Sequence, residues 1–217
     1  MNVSDAVAAR RSIRSFLDTP VSDDIIRELL AKSARAPSGG NVQPWQIQVI
    51  NGGRMQDFMS HLSAHQSRET PAYDIYPKDL PSPYRDSRFK VGEDMYGLLG
   101  IPREDKAARF AHLARNFEFF GAPAAFFCLI DENMGPPQWS DLGMFLQTFM
   151  LLAQEAGIDT CAQEAWATRP KAVTSFLQTP DNLMLFCGMA IGFKNPSAPV
   201  NTLVSDRMPL DSWATWA

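Results

Sequence analysis

Apolar and polar positions along the chain follow two periods, 3.6 and 2, and the segments so marked predict a mixed fold. Behind Ser22, whose hydroxyl suits an N-cap, Ile25, Ile26, Leu29 and Leu30 recur at helical spacing, with Asp23 and Asp24 placed against the positive helix end. A shorter helix, capped by Ser4 or Asp5, precedes it. From Trp45 to Ile50, Ile47 and Val49 alternate with Gln46 and Gln48, which predicts a half-buried strand. A helix from about Arg103 to Phe120 carries Phe110, Leu113, Ala114 and Phe117 on one face and is stopped by Gly121 and Pro123. The run AAFFCLI that follows is a buried strand. Two more strand-like runs, Gly157 to Gln163 and Met184 to Gly192, flank a helix with Thr168 as cap and Pro170 in its first turn.

From Asp141 to Ala156 the pattern changes, because Leu142, Met144, Phe145, Leu146, Phe149, Met150, Leu151 and Leu152 occupy nearly every side of a helix. Such a helix is buried all round. Either a second subunit covers one of its faces or it lies at the centre of one core, and the pattern alone allows both. The stretch from Thr70 to Tyr84 is rich in Pro and Tyr, which disfavours regular structure and predicts a surface excursion, a lid running from about 70 to 100. From Asn195 the tail is irregular and ends with Trp213 and Trp216, which should pack on something. Helices and strands alternate only in part, so the class is α+β with a central sheet, in one domain spanning 1–217.

The balance of residues leaves this picture intact and removes several functions. The 217 residues are 45% hydrophobic and 20% charged, with a net charge of −4 and scattered basic residues, so nothing favours a nucleic-acid partner. Cys128, Cys161 and Cys187 are too few and too far apart for a disulfide framework and lie in apolar runs, as buried inert thiols would. No signal peptide and no membrane-spanning run is legible, and the expectation is a cytoplasmic protein with no membrane partner.

Neither a Rossmann fingerprint nor a P-loop occurs. Instead Arg10, Arg11, Ser12 and Arg14 form the cluster ARRSIR, whose guanidinium forks match phosphate oxygens, although a solvated basic helix end would look the same. A second constellation, APSGGNVQPW from Ala36 to Trp45, combines glycines that allow close backbone approach with Ser38, Asn41 and Gln43, whose amides and hydroxyl suit a heteroaromatic edge. His61 and His65 share a helix face and could bind a metal if Glu69 joined them, but without an H-E-x-x-H glutamate surface histidines are the better reading, and no metal is expected.

At this spacing the two constellations resemble the FMN-binding N-terminal region of the nitroreductase family, and the Pro and Tyr excursion with the YRDSRFKVGEDMYGLLGI that follows it resembles the nitrobenzoate-reductase-like branch. The resemblance continues at GIDTCAQEA, from Gly157 to Ala165, and at SDRMPL, where Arg207 matches a phosphate-binding position. It implies a nitroreductase-like fold, a mostly antiparallel sheet flanked by helices, with the long buried helix at a homodimer interface. Arg10, Arg11, Ser12, Arg14 and Arg207 would hold the FMN ribityl and phosphate. Pro37, Ser38, Gly39 and Asn41 would close over the ring of the other subunit. Ala162, Gln163, Glu164 and Ala165 would lie along the ring, with Asp141 nearby. Ser205, Asp141 and Ala165 depart from residues common in the better-known bacterial enzymes, and Arg85 and Arg88 have no assigned role. The implied activity is a ping-pong hydride relay in which NADH or NADPH reduces FMN and a small electron-poor acceptor, a nitroaromatic or quinone, takes the electrons, with no catalytic acid–base pair in the protein. Alternatives are a reductive dehalogenase, a flavin-fragmenting relative, or a non-enzymatic flavin-binding redox sensor.

Overall fold

In the strand Ala124–Asp131 (β2) every residue from Ala124 to Ile130 is buried, so both of its faces must be covered, and the architecture is the solution to that requirement. The computed structural model describes all 217 residues. It pairs β2 with Gln46–Asn51 (β1) on one side and Leu183–Gly192 (β4) on the other, and Asp159–Gln163 (β3) closes the sheet beyond β4. All three pairings are antiparallel.

On one face Phe126, Cys128, Ile130, Met189 and Ile191 pack against Asp23–Ser33 (α2) and Pro136–Glu155 (α6). On the other, Phe127, Leu129, Leu185 and Ala190 meet Trp166, Phe58 of Gly53–Ala64 (α3) and Val173 of Pro170–Leu177 (α7). Each large side chain so buried contributes about 1.5–3 kcal/mol relative to exposure. The remaining helices, Val3–Ala9 (α1), Tyr84–Leu98 (α4) and Lys106–Ala114 (α5), lie outside the two apolar layers.

Ser22 caps α2 as expected, its hydroxyl accepting from the Ile25 amide at 3.3 Å. Three local expectations need correction. The cap of α1 is Asn2, whose Oδ1 accepts from Asp5 N at 2.9 Å, rather than Ser4 or Asp5. The Thr168 hydroxyl donates back to Ala165 O and leaves the start of α7 to Glu69, whose carboxylate accepts from the Lys171 and Ala172 amides. The helix expected from 103 to 120 begins after Asp105 and ends at Ala114, giving way to a 3-10 segment, Arg115–Gly121, in which Phe119 and Phe120 take left-handed backbone angles. That strain is held by burial, since both rings sit in the second apolar layer.

Two larger differences concern surfaces. The apolar face of α5 points outward, with Phe110 71% exposed, and the helix turns His112 inward instead. At the end of the tail Trp216 is 78% exposed, so within one chain the arm finds no cover. The excursion is irregular only to Pro83, and its expected continuation is the helix α4.

Gly188 shows how tightly the second layer is built. A Cβ there would stand 2.3 Å from Cδ1 of Trp166, a fully buried ring. Gly188→Ala should therefore lower the unfolding free energy by about 1–3 kcal/mol, the usual cost of overpacking, read as a lower urea midpoint at unchanged slope.

Candidate functional site

After α1 the chain runs extended beside β3. Ser12 forms a parallel bridge with Thr160, and the Ile13 amide donates to Thr160 O at 3.0 Å. Ile13 is buried and Ser12 remains at the surface edge, so the bridge fixes which way the cluster faces. The other end of the chain arrives through Asn201. Its Oδ1 accepts from the Arg14 amide at 2.9 Å, and its Nδ2 donates to Ser15 O at 2.8 Å and to Asn195 O at 2.9 Å. Farther along, Asp206 pairs with Lys90 of α4 at 2.9 Å.

These ties bring Arg10, Arg11, Ser12 and Arg14 together with Ser205 and Arg207 around one cavity of about 110 Å³, whose apolar lining comes from Val7, Val91, Leu203 and Val204. None of the four guanidinium groups takes part in a salt bridge. Arg11 donates to Ala8 O and Arg10 O, Arg14 to Ser12 O, and Arg207 to Ser205 and Asp206 O. Burial, then the charges of Arg207 and Arg11, lower the pKa of Arg10. A cluster of like charges without a carboxylate is electrostatically incomplete, and its donors match the oxygens of an anion. The cavity has room for a phosphate-sized group.

The segment expected to follow a ring leads away from this cavity. Ala162 is exposed at the end of β3, whereas Gln163 turns into the second apolar layer and donates to Asn116 O at 2.8 Å. Glu164 and Ala165 begin a 3-10 turn at the rim of the sheet, and desolvation raises the Glu164 carboxyl above its ordinary pKa although the residue keeps an exposed surface.

Pro37, Ser38, Gly39 and Asn41 form a separate group. The loop from Gly39 to Asn41 is exposed and anchored on α6 by Trp45, which stacks on Phe145 with ring centroids 4.9 Å apart. Gly40 and Asn41 both take positive φ. Asp141, 4% exposed, lies beneath this loop, and both of its carboxylate oxygens accept from the Gly39 amide at 3.3 Å. It therefore sets the loop's entry into its turn. Among the other residues singled out, Arg85 pairs with Asp86, Arg88 lies over the Tyr76 ring at 4.0 Å, and His61 Nε2 meets Ala172 O and Ser175 Oγ. The pattern reading missed Asn201 and Asn195, which hold the two ends of the chain together, and Lys90, which ties Asp206 to α4. Asparagines in a tail without period carry no sequence signal that marks such a role.

Residues 7–193 match the model of the nitroreductase family. The chain belongs to the nitroreductase family. It is 39% identical over 204 residues to the 4-nitrobenzoate reductase of Pseudomonas putida, covering 94% of this chain and 88% of that one. Nitrobenzene nitroreductase of Ectopseudomonas oleovorans is 33% identical over 219 residues, with coverage of 99% and 96%. Among solved structures, the FMN and NADPH-dependent nitroreductase NfnB of Sphigopyxis sp. strain HMH superposes with a TM-score of 0.96 at 43% identity, over 100% of this chain and 99% of that one. The α+β architecture is thus that of the nitroreductase family.

Within this family member the Asp141–Gly39 contact is open to direct test. In Asp141→Leu the Gly39 amide loses its only acceptor, and its hydrogen exchange should accelerate about 10- to 100-fold, the equivalent of one hydrogen bond to a charged group. An unchanged rate would mean that the loop holds its shape without the carboxylate.

Proposed function

We propose that the chain is an FMN-dependent oxidoreductase that uses NADH or NADPH to reduce nitroaromatics, quinones or similar electron-poor small molecules. The observation that carries this reading is the cavity of unpaired guanidinium groups drawn from both ends of the chain. Arg10, Arg11, Ser12, Arg14 and Arg207 would hold the phosphate and ribityl of FMN, and the donor set fits that group because it lacks a counter-charge of its own. When bound, FMN would supply the redox chemistry, hydride and electron transfer between NAD(P)H and the acceptor.

The protein's part is position. The guanidinium cluster would hold the phosphate end, and Ala162, exposed on β3, with Glu164 and Ala165 in the turn after it, would border the ring. No catalytic acid–base pair is assigned, and protons for the reduced product come from water. Since Pro37, Ser38, Gly39 and Asn41 stand apart from the anion cavity within one chain, a second copy would complete the cleft. The outward apolar face of α5, the exposed Met144 on α6 and the uncovered loop from Gly39 to Val42 supply the surface for a homodimer, in which Pro37, Ser38, Gly39 and Asn41 close over the partner's site. The named relatives, which reduce nitrobenzoate and nitrobenzene, support the acceptor class. No helix is long and apolar enough to cross a membrane. We place the enzyme in the cytoplasm on its three unpaired, buried cysteines.

The purified protein should be yellow and should bleach when NADH or NADPH is added without oxygen, recovering colour on addition of a nitroaromatic or quinone. A protein that neither retains nor rebinds FMN would overturn the assignment. Arg207→Ala should weaken FMN binding by about 1.5–3 kcal/mol, measured by fluorescence titration of the apoprotein, because one charge-assisted contact is lost. Retention equal to wild type would remove Arg207 from the clamp.

A further inference from the structure

The excursion of residues 66–83 is rooted at three points, all beside the rim where Glu164 and Ala165 lie. Glu69, almost wholly buried, pairs with Arg169 at 3.2 Å while capping α7. The Ala72 amide donates to Ala167 O at 2.8 Å, tying the segment to the same turn that carries Glu164 and Ala165. The third root is Tyr73, whose hydroxyl donates to Phe186 O and whose ring packs between Trp139 and Phe186, with centroids 5.3 and 5.9 Å away.

Phe186 can accept this bond because of an irregularity in the sheet. Cys128 stands opposite Cys187 but Leu129 stands opposite Leu185, so Phe186 is a bulge residue with no partner on β2, and its carbonyl accepts from the Tyr73 hydroxyl. Gln163 pairs with Gly188, two residues along β4 from the bulge. At roughly 3.3 Å per residue, Phe186 is within about 7 Å along the strand of the point where Glu164 leaves the sheet. Beyond Tyr73 the anchoring changes: no hydrogen bond joins residues 74–80 to the sheet or helices, and the cation–π contact of Tyr76 with Arg88 is their tether to α4.

We propose that Tyr73 is a positioning residue for the electron acceptor: its bond to the Phe186 bulge fixes the root of the excursion, so that residues 74–83 form one wall of the acceptor site. This rests on the proposed function, since the acceptor must meet FMN at the Glu164 end of β3. Tyr73 itself touches neither reactant in the proposal. Between the roots that end at Tyr73 and the bonds of residues 81–83 to α4, residues 74–80 have only the Tyr76 tether, so this stretch adapts to acceptors of different width, and the phenol determines how much ordering each acceptor must supply on binding.

The test uses the FMN-loaded enzyme with NADPH and two probe acceptors, nitrobenzene and 4-nitrobenzoate, and compares wild type with Tyr73→Phe. The variant keeps the ring and its packing and loses only the hydroxyl. Its KM for both acceptors should rise about 2- to 12-fold, the equivalent of one neutral hydrogen bond, with kcat within about twofold and FMN retention unchanged. Independently of activity, tryptic cleavage after Lys78 should accelerate by a similar factor. Arg88→Gln, an exposed change that frees Tyr76, should move KM and cleavage in the same direction. Unchanged KM in Tyr73→Phe overturns the proposal whether or not cleavage accelerates, and so does a fall in kcat with KM constant, which would place the phenol in the chemistry. If wild type itself fails to oxidise NADPH with either acceptor, the proposed function fails, while the cleavage comparison still reports on the root.

Discussion

Four guanidinium groups held together without a carboxylate are the constraint on which the rest of this structure turns. Like charges at close range repel, and here the fold brings them together by bonds in which no guanidinium takes part: the backbone bridge of Ser12 to Thr160 and the side-chain amide of Asn201, which clasps both ends of the chain. The half-buried position of Arg10 sharpens the conflict, because burial and repulsion act in the same direction on its pKa. An anion resolves it, and in the proposed function that anion is the phosphate of FMN.

That arrangement depends on the sheet being covered on both faces. With α2 and α6 on one side and α3 and α7 on the other, β3 is left as the edge against which the N-terminal segment can lie. The same edge sets the direction of the site. Along β3, Ala162 faces outward and Gln163 inward, so a small residue borders the open side and the long amide is committed to Asn116. Opposite in character is the group formed by Asp141 and the loop at Gly39. Its backbone angles are unusual and its surface is uncovered within one chain.

The bulge at Phe186 illustrates how a local defect becomes a connection. One residue without a partner on β2 presents a carbonyl, a tyrosine from a Pro-rich excursion takes it, and the excursion gains a defined root next to the site. Loops are positioned this way when their own composition gives them no regular structure.

Period and composition alone determined much about this protein. The apolar run AAFFCLI, the Ser22 cap and the 3.6-residue spacing behind it are local signals that survive in any context that buries them. The clusters at Arg10–Arg14 and Ala36–Trp45, with Arg207, were legible as chemistry for the same reason: guanidinium and amide groups announce their partners by type. Tertiary structure decided the remainder. Phe110 and Leu113 turned outward and His112 inward, because helical period identifies a face without saying which way it points. Glu69 replaced Thr168 as the cap of α7 since a carboxylate from 100 residues away can reach amides that the local hydroxyl does not. Asp141 went to the loop, and Asn201 joined the two termini, through bonds between segments far apart in the chain. Such bonds leave no periodic trace, because their geometry exists only once the sheet has brought the segments together.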